Sequence, residues 1–253
     1  LPSANETNCS PIKPEKMKLL LISNSTNPGE EYLGWPRQDI TNFLKDTGVK
    51  RILFIPYAGV TVSYNDYEAK VNSVFNLLGY EIYSIHHEPD PIKAVVEAEA
   101  IAVGGGNTFH LVREMQRTGI MQAIKGRVLA GVPYMGWSAG SNVACPTLRT
   151  TNDMPIVQPD SFNCMGLVPF QINPHYLDAH PAGHGGETRE QRIEEFIKAN
   201  PGVYVAGLRE ATSLQYDNGN LKLIGRHAMR IFRYGLPPRE VEPGSDVDFL
   251  MIE

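Results

Sequence analysis

The stretch Val132-Pro133-Tyr134-Met135-Gly136-Trp137-Ser138-Ala139-Gly140-Ser141-Asn142-Val143-Ala144 runs from apolar residues through a Gly-x-Ser-x-Gly pentapeptide into small side chains. This pattern predicts a strand over Val132 to Gly136, a sharp turn at Ser138 and a tight segment over Ala139 to Ala144. A serine on such a turn needs small neighbours because the backbone is strained, and the turn lifts the hydroxyl above the sheet. Glycines on both flanks meet that need. Taken without its flanking elements, the pentapeptide is equally well explained by a glycine-rich turn that happens to carry serine.

Upstream, short apolar runs alternate with longer amphipathic segments. Lys18 to Ser23, Arg51 to Pro56, Tyr80 to His86 and Ala100 to Val103 read as strands, with helices over Asp39 to Thr47, Tyr64 to Leu78 and Asp90 to Ala98. After the glycine loop Gly104-Gly105-Gly106, Thr108 to Thr118 and Met121 to Ala130 have helical spacing. Buried strands crossed over by helices define a single-domain α/β fold with a mostly parallel sheet and helices on both faces. Downstream, 147–166 is polar, irregular and long enough for a functional loop. Gly186 to Lys198 reads as a charged helix and Gly202 to Leu208 as a strand. Ser213 to Tyr216 and Lys222 to Ile224 flank Asp217-Asn218-Gly219, a strong hairpin signal. Ala228 to Tyr234 and Val247 to Ile252 are candidates to extend the sheet. With no repeat or linker, residues 17–253 are expected to form one domain.

The 253 residues are 42% hydrophobic and 20% charged, ordinary for a globular protein. A chain of this size removes roughly 70–75% of its unfolded surface from water, so no metal or disulfide staple is needed for stability. Lys and Arg number 23 against 28 acidic residues, a net charge of -5, with no basic run to track a phosphate backbone. No nucleic-acid partner is expected on that ground. Apolar stretches such as Leu19 to Ile22 and Ile52 to Ile55 are far shorter than the roughly 20 residues of a membrane span, so no membrane partner is expected either. Cys9, Cys145 and Cys164 show no framework spacing, and a reducing, cytoplasmic location is the default. Residues 1–16 are polar and proline-containing, with acceptor patterns Asn5-Glu6-Thr7 and Asn8-Cys9-Ser10 but no apolar signal core; they read as a flexible leader before a natural start at Met17.

A nucleophilic serine needs a base for its proton and donors for the oxyanion. Among seven histidines, His175 is preferred, because Asn173-Pro174 before it can hold the imidazole at a strand end; His86, His87, His110, His180, His184 and His227 lie in less constrained settings. The amides of Gly105, Gly106 and Ala139 suit the oxyanion, although the same loop could be only a tight turn. Two acids could orient the imidazole, Asp153 and Glu210, and the sequence does not choose between them. Each could equally be a solvated carboxylate. His175, His180, His184 and Glu187 lie close together, yet Pro181 and Gly183 spoil helical alignment, so no metal site is expected there. The glycine loop lacks the Lys-Ser or Lys-Thr ending of a phosphate loop and the spaced glycines of a dinucleotide fold.

Seven stretches resemble one family in order from about Met17 to Glu210. They are Leu21-Ile22-Ser23-Asn24-Ser25-Thr26, Phe54-Ile55-Pro56-Tyr57-Ala58-Gly59-Val60, Gly104-Gly105-Gly106-Asn107-Thr108-Phe109, the Ser138 pentapeptide, Thr150-Thr151-Asn152-Asp153-Met154-Pro155, Asn173-Pro174-His175 and Gly186-Glu187-Thr188-Arg189-Glu190-Gln191-Arg192. They are similar to the peptidase E family of α-aspartyl dipeptidases, whose relatives include cyanophycinase.

The resemblance implies a fold like the class I glutamine amidotransferases and a serine peptidase acting on small peptides with an N-terminal aspartate, without cofactor or metal. It implies Ser138 as nucleophile, His175 as general base, Asp153 or Glu210 as the third member, and Gly105, Gly106 and Ala139 around the oxyanion. In amidotransferases an acid lies two residues beyond the histidine; that position is Leu177 here, so the triad must close differently. Asn107 and Arg189 are implied to bind the substrate aspartate, in keeping with the two-pronged grip of a guanidinium on a carboxylate. A monomer or homodimer is expected. The rival readings are a hydrolase of aspartyl polymers or β-aspartyl bonds, and a non-catalytic binder of acidic metabolites.

Overall fold

The computed structural model describes residues 15–178, 183 and 185–252; most of the expected leader, Cys9, His180 and His184 lie outside the described residues. Along the chain run β1 (Leu19–Ile22), α1 (Arg37–Leu44), β2 (Arg51–Ile55), α2 (Tyr64–Leu77), β3 (Glu81–Ser84), α3 (Pro91–Glu97), β4 (Ile101–Val103), α4 (Thr108–Arg117) and α5 (Ile120–Leu129). They are followed by β5 (Tyr134–Trp137), α6 (Ala139–Asn142), β6 (Gln171–Tyr176), α7 (Arg189–Ala199), β7 (Val205–Arg209), β8 (Thr212–Asp217), β9 (Asn220–Gly225), β10 (Met229–Phe232) and β11 (Arg239–Val241).

The central sheet has seven strands in the order β3-β2-β4-β5-β1-β8-β9. Its first five strands are mutually parallel, and β8 and β9 pair antiparallel. The apolar runs are continuous because both faces of the sheet are covered, and successive side chains divide between them. Leu19, Leu21, Leu53, Ile55, Ile101 and Val103 face one layer with Val95 of α3, Leu111 of α4 and Ile124 of α5. Leu20, Ile22, Ile52, Phe54, Ala102 and Met135 face the other, with Phe43 of α1 and Phe75 of α2. Full burial of each of the larger of these side chains stabilises the fold by about 1.5–3 kcal/mol. The fold is therefore the expected α/β type, with a mostly parallel sheet and helices on both faces.

The expected hairpin joins β8 to β9, Asp217 pairing with Asn220. Its two-residue loop holds Asn218 and Gly219 at φ 50° and 75°, the turn geometry that matches strand twist. The remaining strands depart from expectation by forming a second sheet, in the order β11-β10-β7-β6. Ala228 to Tyr234 supplies β10 of this sheet instead of extending the central one, and β11 was not foreseen. Val247 to Ile252 is not a strand: Asp248–Met251 makes a 3-10 turn. There the Asp248 carboxylate accepts the Leu221 N–H at 2.6 Å, taking the place of a ladder carbonyl. Helix α7 covers the second sheet through Ile193 and Ile197, packed with Tyr176, Val205 and Phe232.

Register sets where the loops emerge. Ile22 pairs with Trp137, and Val103 with Gly136, so β1, β5 and β4 end at one edge. Ligand sites of parallel sheets form at such carboxyl ends.

Candidate active site

Ser138 sits between β5 and α6 with φ 54° and ψ -108°, in the region L-residues rarely adopt. Its N–H donates to Ile22 O at 3.0 Å, continuing the β1–β5 ladder by one residue. A Cβ on Gly136 would overlap the Gly140 backbone, and one on Gly140 would overlap Val103 O. Glycine at both positions lets α6 start directly over the strand ends.

His175 also has a positive φ, 52°. The β6–β7 register shifts between Pro174 and Tyr176, which bulges His175 out of the ladder, a common device for aiming a side chain. Its N–H donates instead to Ser23 Oγ at 2.9 Å, and that hydroxyl donates to Leu208 O at 2.7 Å. His175 Nε2 then lies 3.0 Å from Ser138 Oγ, and Nδ1 lies 2.7 Å from Glu210 Oε1. A carboxylate only accepts, so Nδ1 carries the proton and Nε2 is the acceptor facing the serine hydroxyl.

Of the two acids left open by sequence, Glu210 is on the imidazole and Asp153 is not. Asp153 Oδ2 accepts from Thr108 N at 2.7 Å, Thr108 Oγ1 at 2.6 Å and Thr151 Oγ1 at 3.0 Å, tying the loop to the start of α4. Asn107 caps α4, its Oδ1 accepting the His110 N–H at 3.0 Å and its Nδ2 donating to Met154 O at 2.9 Å.

Gly105 lies against the serine: a Cβ there would stand 3.0 Å from Trp137 O and 3.1 Å from Ser138 Cβ. Its carbonyl accepts the Tyr67 hydroxyl at 2.9 Å, which fixes the peptide plane of the loop. Gly106 has φ 139°, and a side chain there would overlap Ala58 O. Ala139 opens α6, so position leaves its N–H without a helical acceptor.

Arg189 opens α7 and donates to Asn152 Oδ1. Partial burial and neighbouring Arg192 hold its guanidinium below the ordinary arginine range, while Asp153 acts in the opposite sense. It lines a cavity of about 160 Å³ together with Asn152, Asp153 and Asn173. Asn152 is the link to the histidine, since its Nδ2 donates to Pro174 O at 2.7 Å.

Three residues that lie in the family-like stretches but were given no role by sequence thus position the site: Ser23, Asn24 and Asn152. Asn24 Oδ1 accepts the Ala211 N–H at 2.8 Å, holding the turn that carries Glu210. The signal for Ser23 and Asn24 was present, as two polar residues directly after the wholly apolar β1.

A strained serine at the carboxyl edge of a parallel α/β sheet, paired with a histidine and a glutamate, defines a hydrolase-type site. Residues 19–224 match the model of peptidase family S51, and the chain belongs to that family. The protein is a peptidase. It is 50% identical over 234 residues to "Peptidase E" of Nostoc sp., covering 92% of this chain and 96% of the relative. It is 46% identical over 236 residues to "Peptidase E" of Streptomyces coelicolor, covering 93% and 95%. A crystal structure of a peptidase from an acI-B1 Actinobacterium shares the fold, with TM-score 0.69, 19% identity and coverage of 92% and 98%. No helix among the described residues is long and apolar enough to cross a membrane.

Proposed function

We propose that this peptidase is a serine-type dipeptidase that hydrolyses α-Asp-X through an aspartyl-enzyme ester. The observation that carries the reading is the contact chain from Ser138 Oγ to His175 Nε2 and from Nδ1 to Glu210 Oε1. Ser138 Oγ attacks the Asp-X carbonyl carbon as its proton passes to Nε2. The oxyanion takes the amides of Gly105, Gly106 and Ala139. Collapse breaks the C–N bond, and Nε2 returns the proton to the leaving amine. Water, deprotonated by Nε2, then cleaves the ester and restores the serine. Glu210 stabilises the imidazolium and holds its tautomer.

Arg189 supports the aspartate preference. Its hydrogen-bond partner among the described residues is the neutral Asn152, so a substrate β-carboxylate would meet a half-buried guanidinium that no acid among those residues grips. Asn107, the other residue implied to bind the substrate aspartate, has its side-chain amide in two bonds of the protein itself, capping α4 and holding Met154 O, so contact with substrate would require it to exchange its Nδ2 partner. Both described cysteines are free thiols, in keeping with a cytoplasmic, reducing location.

The test is a rate comparison on α-Asp-Leu, α-Asn-Leu and Ala-Leu with Ser138→Ala as the blank. Cleavage of α-Asp-Leu alone, abolished in the variant, is the expected result. Equal cleavage of Ala-Leu would reject the substrate preference, and undiminished activity in Ser138→Ala would reject the serine mechanism.

A further inference from the structure

Beyond β3, one of the two edge strands of the central sheet, Ile85–His87 forms a 3-10 turn that lays two adjacent histidines against α2. One ring nitrogen of each and one oxygen of Glu68 all lie within 4.8 Å of one another. His87 Nε2 is 2.8 Å from Glu68 Oε2, while Glu68 Oε1 accepts the Ser84 N–H at 2.9 Å. The carboxylate is therefore anchored by one oxygen and offers the other. His86 is anchored at both nitrogens, Nδ1 to Ser84 Oγ at 2.6 Å and Nε2 to Asn65 Oδ1 at 2.8 Å. The two rings lie 3.8 Å apart between centroids.

We propose that Glu68, His86 and His87 form a binding site for a late first-row divalent cation, of which Zn²⁺ is the representative. Two imidazoles and a carboxylate are the donors such ions select, whereas Mg²⁺ and Ca²⁺ require mostly oxygen. Ligands at about 2.0–2.2 Å from one zinc ion stand about 3–4 Å apart, so closure takes only a small side-chain shift. The ion takes the place of the proton between His87 and Glu68. Whichever nitrogen of His86 binds it, the other keeps its oxygen partner, the outer support that orients a metal-bound imidazole. The His87 side chain is 53% exposed, which gives the ion access and leaves room for water to complete its shell. The bound ion would clamp α2 to the end of β3.

Calorimetric titration with ZnCl₂ tests this on the wild type, His87→Ala and Glu68→Gln, with far-UV circular dichroism confirming the fold of each variant. Glu68→Gln keeps an oxygen for the Ser84 N–H. One Zn²⁺ per chain is expected in the wild type, weakened at least tenfold in either variant, with a Tm rise on zinc addition that the variants lack and no uptake of Mg²⁺. Superimposable isotherms for all three proteins, or no zinc uptake by the wild type at millimolar concentration, would overturn the proposal. So would zinc uptake that survives both substitutions but disappears in Glu210→Gln, which would place the ion on the other histidine–carboxylate pair.

Discussion

His175 and Ser138 face each other across 3.0 Å from two backbones that both hold left-handed conformations, φ 52° and 54°. Each conformation costs of order 1–3 kcal/mol and persists only where the surroundings over-determine it. At Ser138 the surroundings are two glycine contacts and a ladder bond to Ile22; at His175 they are a bulge after Pro174 and the hydroxyl of Ser23.

Ser23→Ala should separate positioning from binding. The substitution leaves the His175 N–H and Leu208 O without their shared partner, a loss of about 1–3 kcal/mol for buried groups. The expected outcome is a lower Tm and a fall in kcat on α-Asp-Leu with KM nearly unchanged. Wild-type kcat would show that the hydroxyl does not aim the imidazole.

Glu210→Gln and Asp153→Asn should divide cleanly. Loss of the carboxylate on Nδ1 should lower kcat by about 10⁴-fold with little change in Tm, the size expected for a neutralised triad acid. Asp153→Asn weakens charge-assisted bonds to Thr108 worth about 1.5–3 kcal/mol, so its main effect should appear in thermal unfolding. The reverse pattern in paired kinetic and melting experiments would assign the acid to Asp153.

Gly140→Ala should fail as a fold before it fails as a catalyst. Its methyl would meet Val103 O closer than real side chains approach backbone, and overpacking of this kind costs about 1–3 kcal/mol or more. A denaturant midpoint equal to wild type would show that α6 can lift from the sheet without penalty.

Acid sensitivity should map to Arg209, which pairs with Asp178 and Glu240 beside the Glu210 turn. Its hydrogen bonds hold both carboxyls below their ordinary values. A depressed folded-state value gives stability that is complete above the unfolded carboxylate range, near pH 4, and is lost as pH falls through the lower folded values. Exposed pairs contribute at most about 1 kcal/mol each, and 1 kcal/mol shifts Tm by about 2–4 °C at this chain size. The Tm advantage of wild type over Arg209→Gln should accordingly be full at pH 7 and shrink below about pH 4. An advantage independent of pH would mean that the pairs are not its source.

The parallel core was legible because each strand lies between helices, so its apolar run is continuous and needs no distant partner to be recognised. Leu19 to Ile22 and Ile52 to Ile55 are such runs. The second sheet was not legible. Strand β11 is three residues long with two of them exposed, and the stretch at Asp248 carries enough apolar residues to resemble a strand although its carboxylate completes someone else's ladder.

By itself the sequence determined the serine turn, since Gly136 and Gly140 leave the chain free of side chains two residues to either side of Ser138, and the alternating core that supports it. Tertiary structure alone decided which acid meets His175, which acceptor meets Arg189, and that Glu68 stands beside His86 and His87. Local conformation is governed by neighbours along the chain, whereas these meetings join residues 18 to 37 positions apart through strand register and sheet-to-sheet packing, which no local pattern encodes.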